Sequence, residues 1–166
     1  MMNCDDEFLA LTNPHGTDWN RISSCIPLRE GFIALAQDFV NWKFISKYQV
    51  LSEDFIIMFH HKVDWKYISK YQPISEEFAN AFKRSINWRV VVKYRELTYE
   101  CILRNHRLMG WIDILKYQNL SEEFMEEHGD LIGWELILVR GNVSAAFVSR
   151  NGKHLFPRGH AEKYKK

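Results

Sequence analysis

Cysteine is scarce. Cys4, Cys25 and Cys101 are the only three in 166 residues. An odd, dispersed set of this kind excludes a disulfide framework and an all-thiolate zinc site, and it fits a reducing, cytoplasmic compartment. Net charge is almost absent as well: 22 basic and 21 acidic side chains leave +1. There is therefore no global pull toward nucleic acid or an anionic membrane, and any charge-driven binding must be local. No run of about 18 apolar residues occurs, and the acidic opening Cys4-Asp5-Asp6-Glu7 is not a signal segment, so neither a membrane span nor a leader is expected. His-Glu-x-x-His and Cys-x-x-Cys spacings are also missing, the adjacent His60-His61 included. No catalytic residue, metal site or cofactor is expected, and the chain is not read as an enzyme.

Tryptophan, by contrast, is regular. Trp19, Trp42, Trp65, Trp88, Trp111 and Trp134 are all six in the chain, each 23 residues from the next. With Trp as position 1, position 4 is Ile22, Ile45, Ile68, Val91, Ile114 and Ile137, and position 10 is Leu28, Leu51, Ile74, Leu97, Leu120 and Val143. Position 14 is Phe32, Phe55, Phe78, Cys101, Phe124 and Phe147, and position 22 is also apolar throughout, from Val40 to Leu155. A period of this length marks an array whose units cannot bury their apolar faces alone.

Start signals define the unit. Asp18, Asn41, Asp64 and Asn87 precede a Trp, where a short polar side chain caps a helix, and positions 1 and 4, with 5 or 8 behind them, follow the spacing of a helix face. Pro27 and Pro73 at position 9 end that helix. A second start follows at position 11 with Ser52, Ser75, Thr98, Ser121 and Ser144. Glu76-Glu77 and Glu122-Glu123 come next, where carboxylates meet the positive end of the helix dipole. Positions 14, 18 and 22 are expected to form one apolar stripe on the second helix. Helices this short are unstable alone, so stacking must stabilise them.

The fold predicted is an all-α solenoid of six helix-turn-helix repeats, 19–41, 42–64, 65–87, 88–110, 111–133 and 134–156. A capping half-repeat occupies 1–18, with Asp5-Asp6-Glu7-Phe8 read as a second-helix start offset by one residue. Residues 1–156 form one domain, and 157–166 a basic C-terminal tail. Glycines 141 and 152 weaken the sixth repeat.

The segment Asp64-Trp65-Lys66-Tyr67-Ile68-Ser69-Lys70-Tyr71-Gln72-Pro73-Ile74-Ser75-Glu76-Glu77-Phe78 resembles the Trp-marked short helical repeats of proteins from large DNA viruses and some microbes. The resemblance runs over residues 18–156. It implies the solenoid architecture and a viral setting, either host cytoplasm or virion, and it carries no catalytic residue.

A solenoid presents side chains at regular intervals, so the expected function is noncatalytic binding of another protein, as a host-interaction or assembly component. The fourth repeat has five basic residues against two acidic ones, whereas the fifth has one against six. Arg89, Arg95, Tyr99, Arg104 and Arg107 are the candidate partner surface. The alternative is single-stranded nucleic-acid binding by a Lys-Tyr-Gln ladder: Lys47, Tyr48 and Gln49; Lys70, Tyr71 and Gln72; Lys93, Tyr94 and Arg95; Lys116, Tyr117 and Gln118. A structural reading competes with it, in which tyrosine rings pack between units and lysines meet acidic neighbours. Opposite charges at the two termini make head-to-tail self-association a further candidate.

Overall fold

A computed structural model describes residues 4–140 and 142–156. The basic tail, and with it the head-to-tail contact, lies outside the described residues. Fifteen α-helices and one 3-10 turn, with no strand among the described residues, follow the 23-residue period. The fold is an all-α helical-repeat solenoid.

The helices group into two compact units, one up to Val91 and one from Val92 onward. The first unit holds α1 (Cys4–Thr12), a 3-10 turn (Pro14–Gly16), α2 (Trp19–Cys25), α3 (Glu30–Leu35), α4 (Trp42–Tyr48), α5 (Glu53–Met58), α6 (Trp65–Tyr71) and α7 (Glu76–Ala81). Helix α8 (Trp88–Tyr94) carries the chain across Val91. The second unit continues with α9 (Tyr99–Met109), α10 (Trp111–Tyr117), α11 (Glu122–Glu127), α12 (Gly129–Ile132), α13 (Trp134–Arg140), α14 (Ala145–Arg150) and α15 (Gly152–Leu155).

Both families of start signal act as caps. Asp18 Oδ1 accepts from Arg21 N at 3.0 Å, Asn41 Oδ1 from Phe44 N at 3.2 Å and Asn87 Oδ1 from Val90 N at 3.3 Å. The position-11 hydroxyls of Ser52, Ser75, Thr98, Ser121 and Ser144 each accept from the N–H three residues on, at 3.0–3.2 Å. Each cap satisfies a donor that has no partner inside its helix.

The second helices are shorter than the stripe of positions 14, 18 and 22 requires. Helices α3, α5 and α7 stop by position 17, and position 22 is reached through a separate turn, closed in the second repeat by Val63 N donating to Phe59 O at 3.1 Å. That break leaves the position-19 carbonyl available to the next tryptophan. Trp42 Nε1 donates to Gln37 O at 2.8 Å, Trp65 Nε1 to His60 O at 3.0 Å and Trp88 Nε1 to Lys83 O at 2.9 Å. Trp19 does the same with Pro14 O at 2.8 Å, which ties the 3-10 turn of the cap to the first repeat. In the cap, Glu7, 23 residues before Glu30, binds the Arg29 guanidinium, while Phe8 and Leu9 both point outward, 70% and 66% exposed, so neither fills the place of the position-14 aromatic.

Three polar columns tie neighbouring repeats together. Position-8 glutamine is a staple: Gln72 Oε1 accepts from Leu51 N at 2.9 Å, while Nε2 donates to Ser46 O at 2.9 Å and Gln49 O at 2.7 Å. Gln49 repeats this on Leu28 N, Ser23 O and Ile26 O. In the second unit Gln118 repeats it on Leu97 N, Val92 O and Arg95 O. Position-12 glutamate forms the second column, with Glu30 and Glu122 each receiving both the N–H and the hydroxyl of the next repeat's Ser52 and Ser144. These carboxylates therefore join repeats as well as meeting the helix dipole. The third column is position-5 serine, fully buried at Ser23, Ser46 and Ser69, whose oxygens accept from Asn41 N, Asp64 N and Asn87 N at 2.9–3.0 Å.

The second unit closes its joints differently. Positions 92 and 115 are Val and Leu instead of Ser, and the residues before Trp111 and Trp134 are Gly110 and Gly133 instead of Asn or Asp. Helix α9 runs unbroken through Met109, so Gly110 N donates to His106 O at 2.7 Å and needs no serine. Gly110 and Gly133 then leave at φ 84° and 95°, a conformation that only glycine adopts without strain.

Candidate binding surfaces

The interior columns decide which ladder residues face outward. Gln49, Gln72 and Gln118 are 5%, 2% and 6% exposed and hold backbone groups of the preceding repeat, so they cannot reach a polymer outside. Lys–Tyr pairs remain. Tyr48, Tyr71, Tyr94 and Tyr117 are 49%, 45%, 51% and 36% exposed rather than packed between repeats. Each lysine lies over the ring that follows it: Lys47 over Tyr48 at 4.5 Å, Lys70 over Tyr71 at 4.9 Å, Lys93 over Tyr94 at 5.2 Å and Lys116 over Tyr117 at 5.0 Å. Lys47 also donates to the Tyr48 hydroxyl at 2.8 Å, which raises its pKa. An exposed cation–π contact contributes about 0.5–1 kcal/mol, less than the ~1–3 kcal/mol of stacking a base on an aromatic ring, so an incoming base can displace the lysine.

Of the arginine-rich set, Arg89 is exposed on α8 in the first unit, and the other four residues belong to the second unit, where Tyr99 and Arg104 are already engaged. Tyr99 takes the place of the position-12 glutamate: its hydroxyl accepts from Ser121 N at 3.0 Å and its ring packs on Phe124 at 4.3 Å. Arg104 pairs with Glu100 at 2.6 Å within α9. Arg95 stands in the glutamine column, where partial burial lowers its pKa. Arg107 is exposed on α9.

Two other surfaces stand out. In the first unit α2, α4 and α6 pack side by side and carry Arg21, Lys43, Lys47, Lys66 and Lys70 without a single Asp or Glu. In the second unit α10 and α13 border an open cleft of about 500 Å³, lined by Ile112, Leu115, Lys116, Leu136, Val139 and Asn142. Ile112 and Val139 are 69% and 81% exposed. The cleft went unread in the sequence because Ile112 and Val139 sit at positions 2 and 6, where the other repeats carry mostly polar residues; that departure was the available signal.

No family model, curated protein or solved structure matches the chain. Among the described residues, no three His, Cys, Asp or Glu side chains gather as metal ligands, and no helix is long and apolar enough to cross a membrane.

Proposed function

We propose that the chain is a noncatalytic repeat scaffold that binds another protein, with the cleft between α10 and α13 as the receiving surface. The observation that carries this reading is the pair Ile112 and Val139, aliphatic side chains left 69% and 81% exposed beside Leu115 and Leu136. Contiguous exposed apolar surface of this kind is the ordinary mark of an interaction site. Lys116 is the single charged residue in the lining. The partner that fits is a segment offering aliphatic side chains to the cleft with a carboxylate beside them for Lys116. A reducing, cytoplasmic setting suits the free thiols of Cys25 and Cys101.

The test is affinity capture of the tagged chain from cells of its native setting, with and without nuclease, alongside an Ile112→Asp/Val139→Asp variant checked for unchanged helicity and melting. A discrete protein that survives nuclease and is lost from the variant is the expected result. Capture indifferent to the variant, or lost on nuclease treatment, overturns the reading.

A further inference from the structure

We infer that the first-helix face of the first unit binds single-stranded nucleic acid, independently of the cleft in the second unit. Helices α2, α4 and α6 carry Arg21, Lys43, Lys47, Lys66 and Lys70, and the acids nearest to them in sequence, Asp18 and Asp64, are N-caps whose oxygens are engaged by backbone N–H groups. The unit's other acids of the repeats, such as Glu30, Asp38 and Glu53, belong to the second helices or the turns after them, where they hold Ser52, Lys62 and Ser75. The row of first helices is thus cationic with no acid of its own, while Arg29 and Lys62 elsewhere in the unit are paired with Glu7 and Asp38.

Aromatic rings alternate with these cations. Tyr48 and Tyr71 are 49% and 45% exposed, Phe44 meets Tyr48 edge-on at 5.9 Å, and Tyr67 stacks on Tyr71 at 6.0 Å. Lys43 and Lys47 both reach the Tyr67 ring of the next repeat, at 5.9 and 5.8 Å, so cations and rings alternate from one repeat to its neighbour. Cations that track a backbone and exposed rings that accept unpaired bases are the two components of single-strand binding. A duplex offers phosphates to the lysines but keeps its bases from the rings, and an acidic polypeptide has no base to stack.

Fluorescence anisotropy of the full chain with a labelled oligothymidylate at about 50 mM salt tests this. Binding is expected to weaken with salt at a log–log slope of roughly −3, as for four or so neutralised phosphates on a single strand. Lys43→Glu/Lys66→Glu is expected to lose at least about tenfold in affinity. Tyr48→Ala/Tyr71→Ala is expected to lose about tenfold or more, and Tyr48→Phe/Tyr71→Phe to retain binding, since Phe keeps the stacking face. The Phe variant also guards against misfolding of the Ala variant, and Ile112→Asp/Val139→Asp is expected to bind the oligonucleotide normally. No binding, equal affinity for duplex, or equal competition by poly-glutamate overturns the inference, the last by making the face a site for acidic protein. Wild-type affinity in a folded Tyr48→Ala/Tyr71→Ala chain overturns it too.

Discussion

The two units join their repeats by different chemistry on the same period. In the first, a buried serine at position 5 takes the N–H of an Asn or Asp cap, the second helix breaks early, and the freed carbonyl receives the next indole. In the second, α9 continues to Met109, the N–H stays inside the helix, and Gly110 makes the exit. At this joint two residues change together, Ser to Val92 and Asn or Asp to Gly110, and the indole bond is lost with them, because Trp111 Nε1 is buried without a partner; at the Gly133 joint Trp134 Nε1 instead donates to Asp130 Oδ1 at 2.7 Å. A joint is therefore a linked set of residues, and a column cannot be substituted alone without cost.

What the units share should be the most costly to break. Gln72→Leu removes a side chain that satisfies one N–H and two carbonyls at 2% exposure. A loss of about 2–4 kcal/mol is expected in urea unfolding, with Gln118→Leu in the second unit costing about the same. An effect no larger than that of the exposed control Lys43→Ala would remove the staple from the account.

The difference between the units is sharpened by a double-mutant cycle at the joint of α8 and α10. Gly110→Asn alone should cost about 1–3 kcal/mol, since φ 84° with ψ 133° suits only glycine. Val92→Ser alone should cost about 2 kcal/mol, since it removes two methyl groups from a fully buried side chain. Together they recreate the serine–asparagine pair of the first unit, and the double variant should recover roughly 0.5–1 kcal/mol of the summed losses. Strict additivity would mean that the columns vary independently.

Much of this architecture was legible in the sequence because caps and apolar columns depend on residues within three or four positions. Asp18, Ser75 and their equivalents announce helix starts through local donors alone. Helix spacing already puts position 8 on the face of Trp at 1 and Ile at 4, three and four residues apart, although the polar Lys-Tyr-Gln run also reads as an exposed ladder. The glutamines' partners are 21 to 26 residues away, a distance no local pattern reports. Ser46 and Ser69 were hidden for the same reason, although the joint loss of serine at 92 and of Asn or Asp at 110 was visible as a covarying pair of columns. Of the candidate site residues, Tyr48, Tyr71, Tyr94 and Tyr117 are exposed, whereas the Tyr99 hydroxyl is engaged by Ser121 N in place of a glutamate carboxylate.

The smallest effect expected is also the most specific to the comparison. Trp42→Phe removes the 2.8 Å bond to Gln37 O together with part of the tilted ring contact with Phe59, whereas Trp111→Phe removes a donor that has no acceptor. Both variants lose ring area, so the area losses largely cancel between them. Trp42→Phe should cost roughly 1 kcal/mol more than Trp111→Phe, the net contribution of one hydrogen bond. The gap should close in the Val92→Ser/Gly110→Asn background, because breaking α9 there frees His106 O, five residues before Trp111, in the place Gln37 O holds before Trp42. Equal costs in the wild-type chain would show that the indole bond does not distinguish the two joints. A gap that persists in the double variant would show that the serine–asparagine pair forms without breaking the helix.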